Sequence, residues 1–139
     1  MSESRPSGGM LAIVLLGVTY AAIGILFAIP TTHVRAWRLA AWAASAVVYT
    51  AHTAYEGFRR RSSPFTAAAH VALAVALGGL GLALEANLHS LSHEGTDAHR
   101  RLLFLALGIW PILTGLPAFL VALVAEALLV RAFRSASDP

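Results

Sequence analysis

The chain has 139 residues, of which 58% are hydrophobic and only 12% charged, and its mean hydropathy is +0.70. Soluble domains usually carry about twice that charged fraction, so the composition excludes a soluble globular domain as the main body of the chain. The absence of cysteine excludes disulfide exchange, thiol nucleophiles and Cys-ligated metal sites. The net charge of +3 comes from arginines at the ends of apolar stretches, which indicates membrane topology and not a nucleic-acid partner.

Four apolar stretches are each long enough to cross a bilayer, which takes about 20 residues. In chain order they are residues 10–29, 37–56, 66–88 and 102–130. We therefore predict an all-α integral membrane protein, a four-transmembrane-helix antiparallel bundle over residues 10–134, because backbone in lipid must satisfy its own hydrogen bonds. Residues 1–9 are predicted to be a disordered tail, and residues 135–139 a short C-terminal tail.

The first span is predicted to be scaffold. Gly17 and Gly24 are each followed by an alanine four residues later, and small residues in this pattern permit close approach of another helix. Its polar side chains are limited to Thr19 and Tyr20.

The second span carries a regular polar stripe in a background of alanine and valine. Its members are Arg38, Trp42, Ser45, Tyr49, His52 and Glu56. At about 100° per residue they fall within an arc of roughly 80° on one helical face. Polar side chains facing lipid are costly, so the stripe is predicted to face the other helices.

Residues from three spans are predicted to meet in an intramembrane polar centre. Counted from the loops at about 1.5 Å per residue, His52, His70 and Glu126 lie one to two turns inside the same membrane edge. Glu56 and Tyr49 share the face of His52. Such a cluster is able to handle protons or cations. The alternative is structural: the histidines bond across helices, and the carboxylates lie among the headgroups beside arginines.

A second group of ionisable residues lies towards the other membrane edge. The candidate metal ligands are Glu85, His89, His93 and His99. Two imidazoles one helical turn apart are able to chelate a divalent metal such as zinc, copper or nickel. The alternative is a solvated, pH-responsive loop.

Glu85 also has a structural interpretation, because it lies within an apolar stretch and needs a partner there. Arg38, near the same end of the second span, is the obvious candidate for an ion pair that locks the second span to the third. The glycines at 78, 79 and 81 lie mid-span without a preceding strand, so they favour helix packing over phosphate binding.

The arginine distribution predicts the topology. One side would hold six arginines, and the other would hold four. They are Arg5, Arg59–Arg61, Arg131 and Arg134 on the first side, and Arg35, Arg38, Arg100 and Arg101 on the second. Both termini are therefore predicted to be cytoplasmic, and the expected location is a bacterial inner membrane.

Three functional hypotheses follow. The first is ion transport, by a small carrier or conductor of protons or cations. The second is a non-catalytic accessory or assembly subunit of a larger membrane complex, or a homo-oligomer, in contact with the lipid bilayer. The third is a cofactor-binding protein in which His52 and His70 ligate a haem between adjacent spans. The sequence has no nucleophile motif, and we expect no enzymatic activity.

Overall fold

The computed structural model describes residues 8–60, 63–91 and 96–135, and within these ranges the chain is entirely helical apart from short connections. The helices are α1 (Gly8–Ala28), α2 (Val34–Tyr55), a π-helical turn (Glu56–Arg60), α3 (Pro64–Leu91) and α4 (Asp97–Ser135). Most of the predicted N-terminal tail lies outside the described residues, and so do residues 136–139 at the C-terminus.

Three of the described helices are long and apolar enough to cross a membrane. The spans are Gly9–Ala28, Pro64–Ser90 and Asp97–Ala132, with mean hydropathies of 2.5, 2.0 and 2.2. Large apolar side chains on these helices, such as Leu102 and Phe104, are exposed, as expected of surfaces that face lipid. These features identify an integral membrane protein. Helix α2 is also long enough, at 22 residues, but its polar stripe keeps it outside this hydropathy class.

Helix α3 packs between α1 and α4. Helices α1 and α3 run in the same direction, since Gly17 faces Leu77 and Gly24 faces Leu82. A Cβ atom on Gly17 would lie 2.7 Å from Leu77 Cβ, and one on Gly24 would lie 2.6 Å from Leu82 Cδ2. The prediction that these small residues allow close helix approach is therefore confirmed.

The glycine run of α3 is the second place of close approach. A Cβ atom on Gly78 would lie 2.5 Å from the Cβ of Tyr20 in α1. One on Gly79 would lie 2.5 Å from Thr114 Oγ1 in α4. Neighbouring glycines therefore face opposite neighbours of α3, which confirms a packing role for this run.

Helix α4 begins earlier than predicted and is continuous. Thr96 caps it, since its Oγ1 accepts a hydrogen bond from the His99 N–H at 3.3 Å. The helix then continues through both Pro111 and Pro117. The Thr114 hydroxyl donates to the Trp110 carbonyl at 2.8 Å, the kind of side-chain bond that accompanies prolines in membrane helices.

Other helices cover only the second half of helix α2. It starts after His33, whose left-handed backbone (φ 53°, ψ 37°) redirects the chain. Arg38 is exposed, and Trp42 is 78% exposed, whereas His52 is buried with 3% exposure. The prediction that the whole polar stripe faces other helices is therefore wrong for its first half. The period of a helix places residues on one face, but only the neighbouring helices decide how far that face is covered.

Candidate functional site

The candidate site forms where α2 changes into the π-helical turn. The backbone N–H of Glu56 donates to the carbonyls of both His52 and Thr53, and the chain then continues with π-helical bonding to Arg60. Such π-insertions are rare and occur frequently at functional sites. Here the turn begins at Glu56, which is 0% exposed, and His52 and Thr53 just before it are also buried.

The Glu56 carboxylate contacts imidazoles from two helices. Its Oε2 lies 3.2 Å from Nδ1 of His70 on α3. Its Oε1 lies 3.9 Å from Nε2 of His52, one turn earlier on the same face. The alternative in which Glu56 lies solvated among the headgroups is therefore wrong, because the carboxylate is enclosed with the two imidazoles.

Glu126 brings a second carboxylate to the same place from α4. It is 2% exposed, and its carboxylate lies against the backbone of Gly57. A Cβ atom on Gly57 would lie 2.8 Å from Glu126 Oε2 and 3.2 Å from Oε1. Glycine is therefore what allows Glu126 to approach the residue next to Glu56. We call His52, Glu56, His70 and Glu126 the His–Glu centre.

Tyr49 lies beside the His–Glu centre, about one turn before His52 on α2. Its hydroxyl donates to the Ala118 carbonyl of α4 at 2.6 Å. Its ring packs against the buried cluster of Ala68 and Val71 on α3 and Ala122 on α4. All five residues predicted for the polar centre are thus buried or partly buried at the same end of the molecule, on α2, the π-turn, α3 and α4.

The composition of the His–Glu centre sets its chemistry. An unbalanced charge in a buried site is costly, so the two carboxylates and the two imidazoles need one another to balance their charge. Imidazole and carboxylate groups exchange protons readily, and imidazole does so near neutral pH. The geometry is therefore suited to taking up, sharing and releasing protons.

The residues predicted at the opposite end are not assembled in the same way. Glu85, His89 and His99 are exposed, and His93 lies outside the described residues. Within the described ranges, no three histidine, aspartate or glutamate side chains are grouped so as to hold a metal ion. Arg38 is also exposed, and the structure does not bring it into an ion pair with Glu85, because helix α2 is not covered at that end.

Several of the arginines that predict the topology lie outside the described residues. The side chains of the Arg59–Arg61 triplet and of Arg134 lie outside the described residues, as does Arg5. The proposed pairing of Glu56 or Glu126 with residues of this set is therefore not described.

Sequence reasoning missed three features of the site. The Thr53 hydroxyl is buried beside the centre, yet Thr53 lies just outside the six-residue stripe. Gly57 contacts Glu126, and nothing in its sequence surroundings indicates that contact. Tyr20, assigned to scaffold, has a buried hydroxyl without a hydrogen-bond partner among the described residues. A polar residue alone on an apolar helix was the available signal for Tyr20.

No protein-family model matches this chain, and no curated protein or solved structure is significantly similar to it. The functional argument therefore depends on the chemistry of the His–Glu centre.

Proposed function

We propose that this membrane protein is a small carrier or conductor of protons, and that the His–Glu centre takes up and releases the transported proton. The observation that carries the proposal is the contact of a fully buried Glu56 carboxylate with His52 and His70, at 3.9 and 3.2 Å. Ionisable groups inside a membrane are costly, and they mark proton relays more often than surface charges do.

The proposal includes α2 as a fourth membrane span. Its 22 residues would extend about 33 Å at 1.5 Å per residue, enough for the hydrocarbon core. The buried half of its stripe is shielded by the contacts just described. Arg38 and Trp42 lie near the start of the helix, where an arginine can extend to water and a tryptophan suits the interface.

With four spans, both termini lie on one side of the membrane. The sequence-wide excess of arginine on that side supports a cytoplasmic location for both termini. On this basis we place the His–Glu centre near the cytoplasmic edge of a bacterial inner membrane.

A proton fits this centre better than a metal ion does. Zinc binds its ligands at about 2.0–2.3 Å and usually takes three or four of them from the protein. No such group of ligands occurs within the described residues. The distances between the imidazoles and Glu56 are those of hydrogen bonds or longer ion pairs.

The haem hypothesis receives no support from the same geometry. Axial ligation requires each imidazole to direct a nitrogen at the iron. Instead, Nε2 of His52 and Nδ1 of His70 both face the carboxylate of Glu56.

The test is proton flux into sealed vesicles that contain the purified protein. A pH gradient and a membrane potential are imposed, and internal pH is followed with a trapped dye. We expect wild-type flux to exceed that of protein-free vesicles. Glu56→Gln should reduce the protein-dependent flux about tenfold or more. This corresponds to a barrier that is higher by about 1.4 kcal/mol or more.

Glu85→Gln is the matched control, because it makes the same chemical change at an exposed carboxylate, and it should retain wild-type flux. Wild-type vesicles no faster than protein-free ones, or full flux in Glu56→Gln, would overturn the proposal. An inactive wild-type protein that copurifies with a larger membrane protein would instead favour the accessory-subunit hypothesis.

A further inference from the structure

Buried polar oxygen atoms continue beyond the His–Glu centre. Within the described residues, Glu126 Oε1, the Thr53 hydroxyl and the Tyr20 hydroxyl are buried without a hydrogen-bond partner. Buried polar groups in proteins are nearly always hydrogen-bonded, either to protein atoms or to water. Three such atoms, on α1, α2 and α4, therefore point to a bound ligand that is small and polar.

These oxygen atoms lie on a path from the centre into the middle of the molecule. Thr53 is one helical turn from Tyr49 on α2. Tyr49 packs against Ala122, one turn from Glu126 on α4. Tyr49 also packs against the cluster that contains Tyr20 and Ala74. The path thus joins the surroundings of Glu126 and of Thr53, through Tyr49, to Tyr20.

Beyond Tyr20 the helices close tightly. A Cβ atom on Gly81 would lie 2.7 Å from Ala21 Cβ, and one on Gly24 would lie 2.6 Å from Leu82 Cδ2. These contacts join α1 to α3 towards the end that carries the α1–α2 connection. A methyl group at Gly81 would overlap with Ala21, one at Gly24 would have to displace the Leu82 side chain, and the side chains that meet there are apolar. The path therefore ends near Tyr20.

We propose that Thr53, Tyr49 and Tyr20 hold a short chain of water molecules that extends from the His–Glu centre and opens only towards the end of the molecule with the π-turn. This inference rests on the proposed function and deepens it. Hydroxyl groups both donate and accept hydrogen bonds, so water between them can pass protons in either direction. In this conformation protons reach the centre from one side, and transfer to the other side requires the packing around Gly24 and Gly81 to open.

The absence of cysteine allows a direct test by cysteine accessibility. Single variants Thr53→Cys and Thr50→Cys are placed in sealed vesicles and treated with a charged, membrane-impermeant methanethiosulfonate reagent from each side. A thiol reacts as the thiolate, which forms in water and not in lipid. Thr50 is the matched control because it lies on the same helix, but it is exposed and bonds to the Ala46 carbonyl of its own helix at 2.8 Å.

We expect Thr53→Cys to react about tenfold or more faster than Thr50→Cys, and only from the side that holds the π-turn. Equal reaction rates for the two variants would overturn the inference. So would reaction of Thr53→Cys from both sides, or from the opposite side alone.

A second variant covers the case in which Thr53→Cys does not fold. Tyr20→Phe keeps the ring and removes only the hydroxyl, and we expect it to lower proton flux about three- to tenfold. The control is Thr19→Val, which removes the neighbouring exposed hydroxyl that bonds to the Leu15 carbonyl. Wild-type flux in Tyr20→Phe would overturn the inference.

The two proposals fail in distinguishable ways. Vesicles without protein-dependent flux would reject the proposed function, while one-sided labelling at Thr53→Cys would still establish the water-filled path. Flux that depends on Glu56 but comes with an unreactive Thr53→Cys and an active Tyr20→Phe would reject the path alone.

Discussion

The two ends of this molecule carry similar sequence signals with different structural results. At one end His52 and Glu56 are four residues apart, and at the other Glu85 and His89 are four residues apart. The first pair is buried and meets His70 from another helix. The second pair is exposed.

Helical spacing alone therefore does not create a site. Spacing places two side chains on one face, but burial depends on what packs against that face. At the π-turn end, Gly57 allows α4 to bring Glu126 close. The comparison therefore predicts that matched substitutions at the two ends have unequal effects.

The largest difference is expected between Glu56→Ala and Glu85→Ala. Removing one partner from a buried group of charges typically costs about 3–5 kcal/mol, since the remaining groups lose their compensation. We expect Glu56→Ala to lower the free energy of unfolding in detergent by an amount in that range. Exposed substitutions usually change it by less than about 0.5 kcal/mol, which is the expectation for Glu85→Ala. Equal losses of stability would show that the two ends do not differ as described.

A smaller effect, with a change of sign, is expected from two glycine variants. In Gly57→Ala the new methyl group would lie 2.8 Å from Glu126 Oε2, so the carboxylate must move. Such overpacking typically costs about 1–3 kcal/mol. In Gly108→Ala the methyl group would meet nothing within 4 Å, and alanine favours the helix by about 0.5–1 kcal/mol. Thermal unfolding should therefore shift down for the first variant and up for the second. A stabilised Gly57→Ala would contradict the contact with Glu126.

The sequence was sufficient for the helices and for part of the site. Apolar length predicted α1, α3 and α4, because the bilayer sets that length, and counting from the loops placed His70 and Glu126 near the level of His52. The π-turn was not predictable in this way, and neither was the contact of its Gly57 with Glu126, because spacing along the chain does not show which distant helix packs there. The exposure of Arg38 was not predictable either, because helical periodicity does not show where along α2 the neighbouring helices stop.

The smallest effect is expected from two tyrosines on α2. Tyr49→Phe removes the hydrogen bond to the Ala118 carbonyl, which joins α2 to α4 at 2.6 Å. Hydrogen bonds between membrane helices contribute about 0.6 kcal/mol on average, so the unfolding free energy should fall by roughly that amount. Tyr55 is 47% exposed, and Tyr55→Phe makes the same change near the end of the helix. We expect no measurable loss there. If Tyr55→Phe destabilised the protein as much as Tyr49→Phe does, the Ala118 contact would not be what holds α2 against α4, and burial of His52 would need another cause.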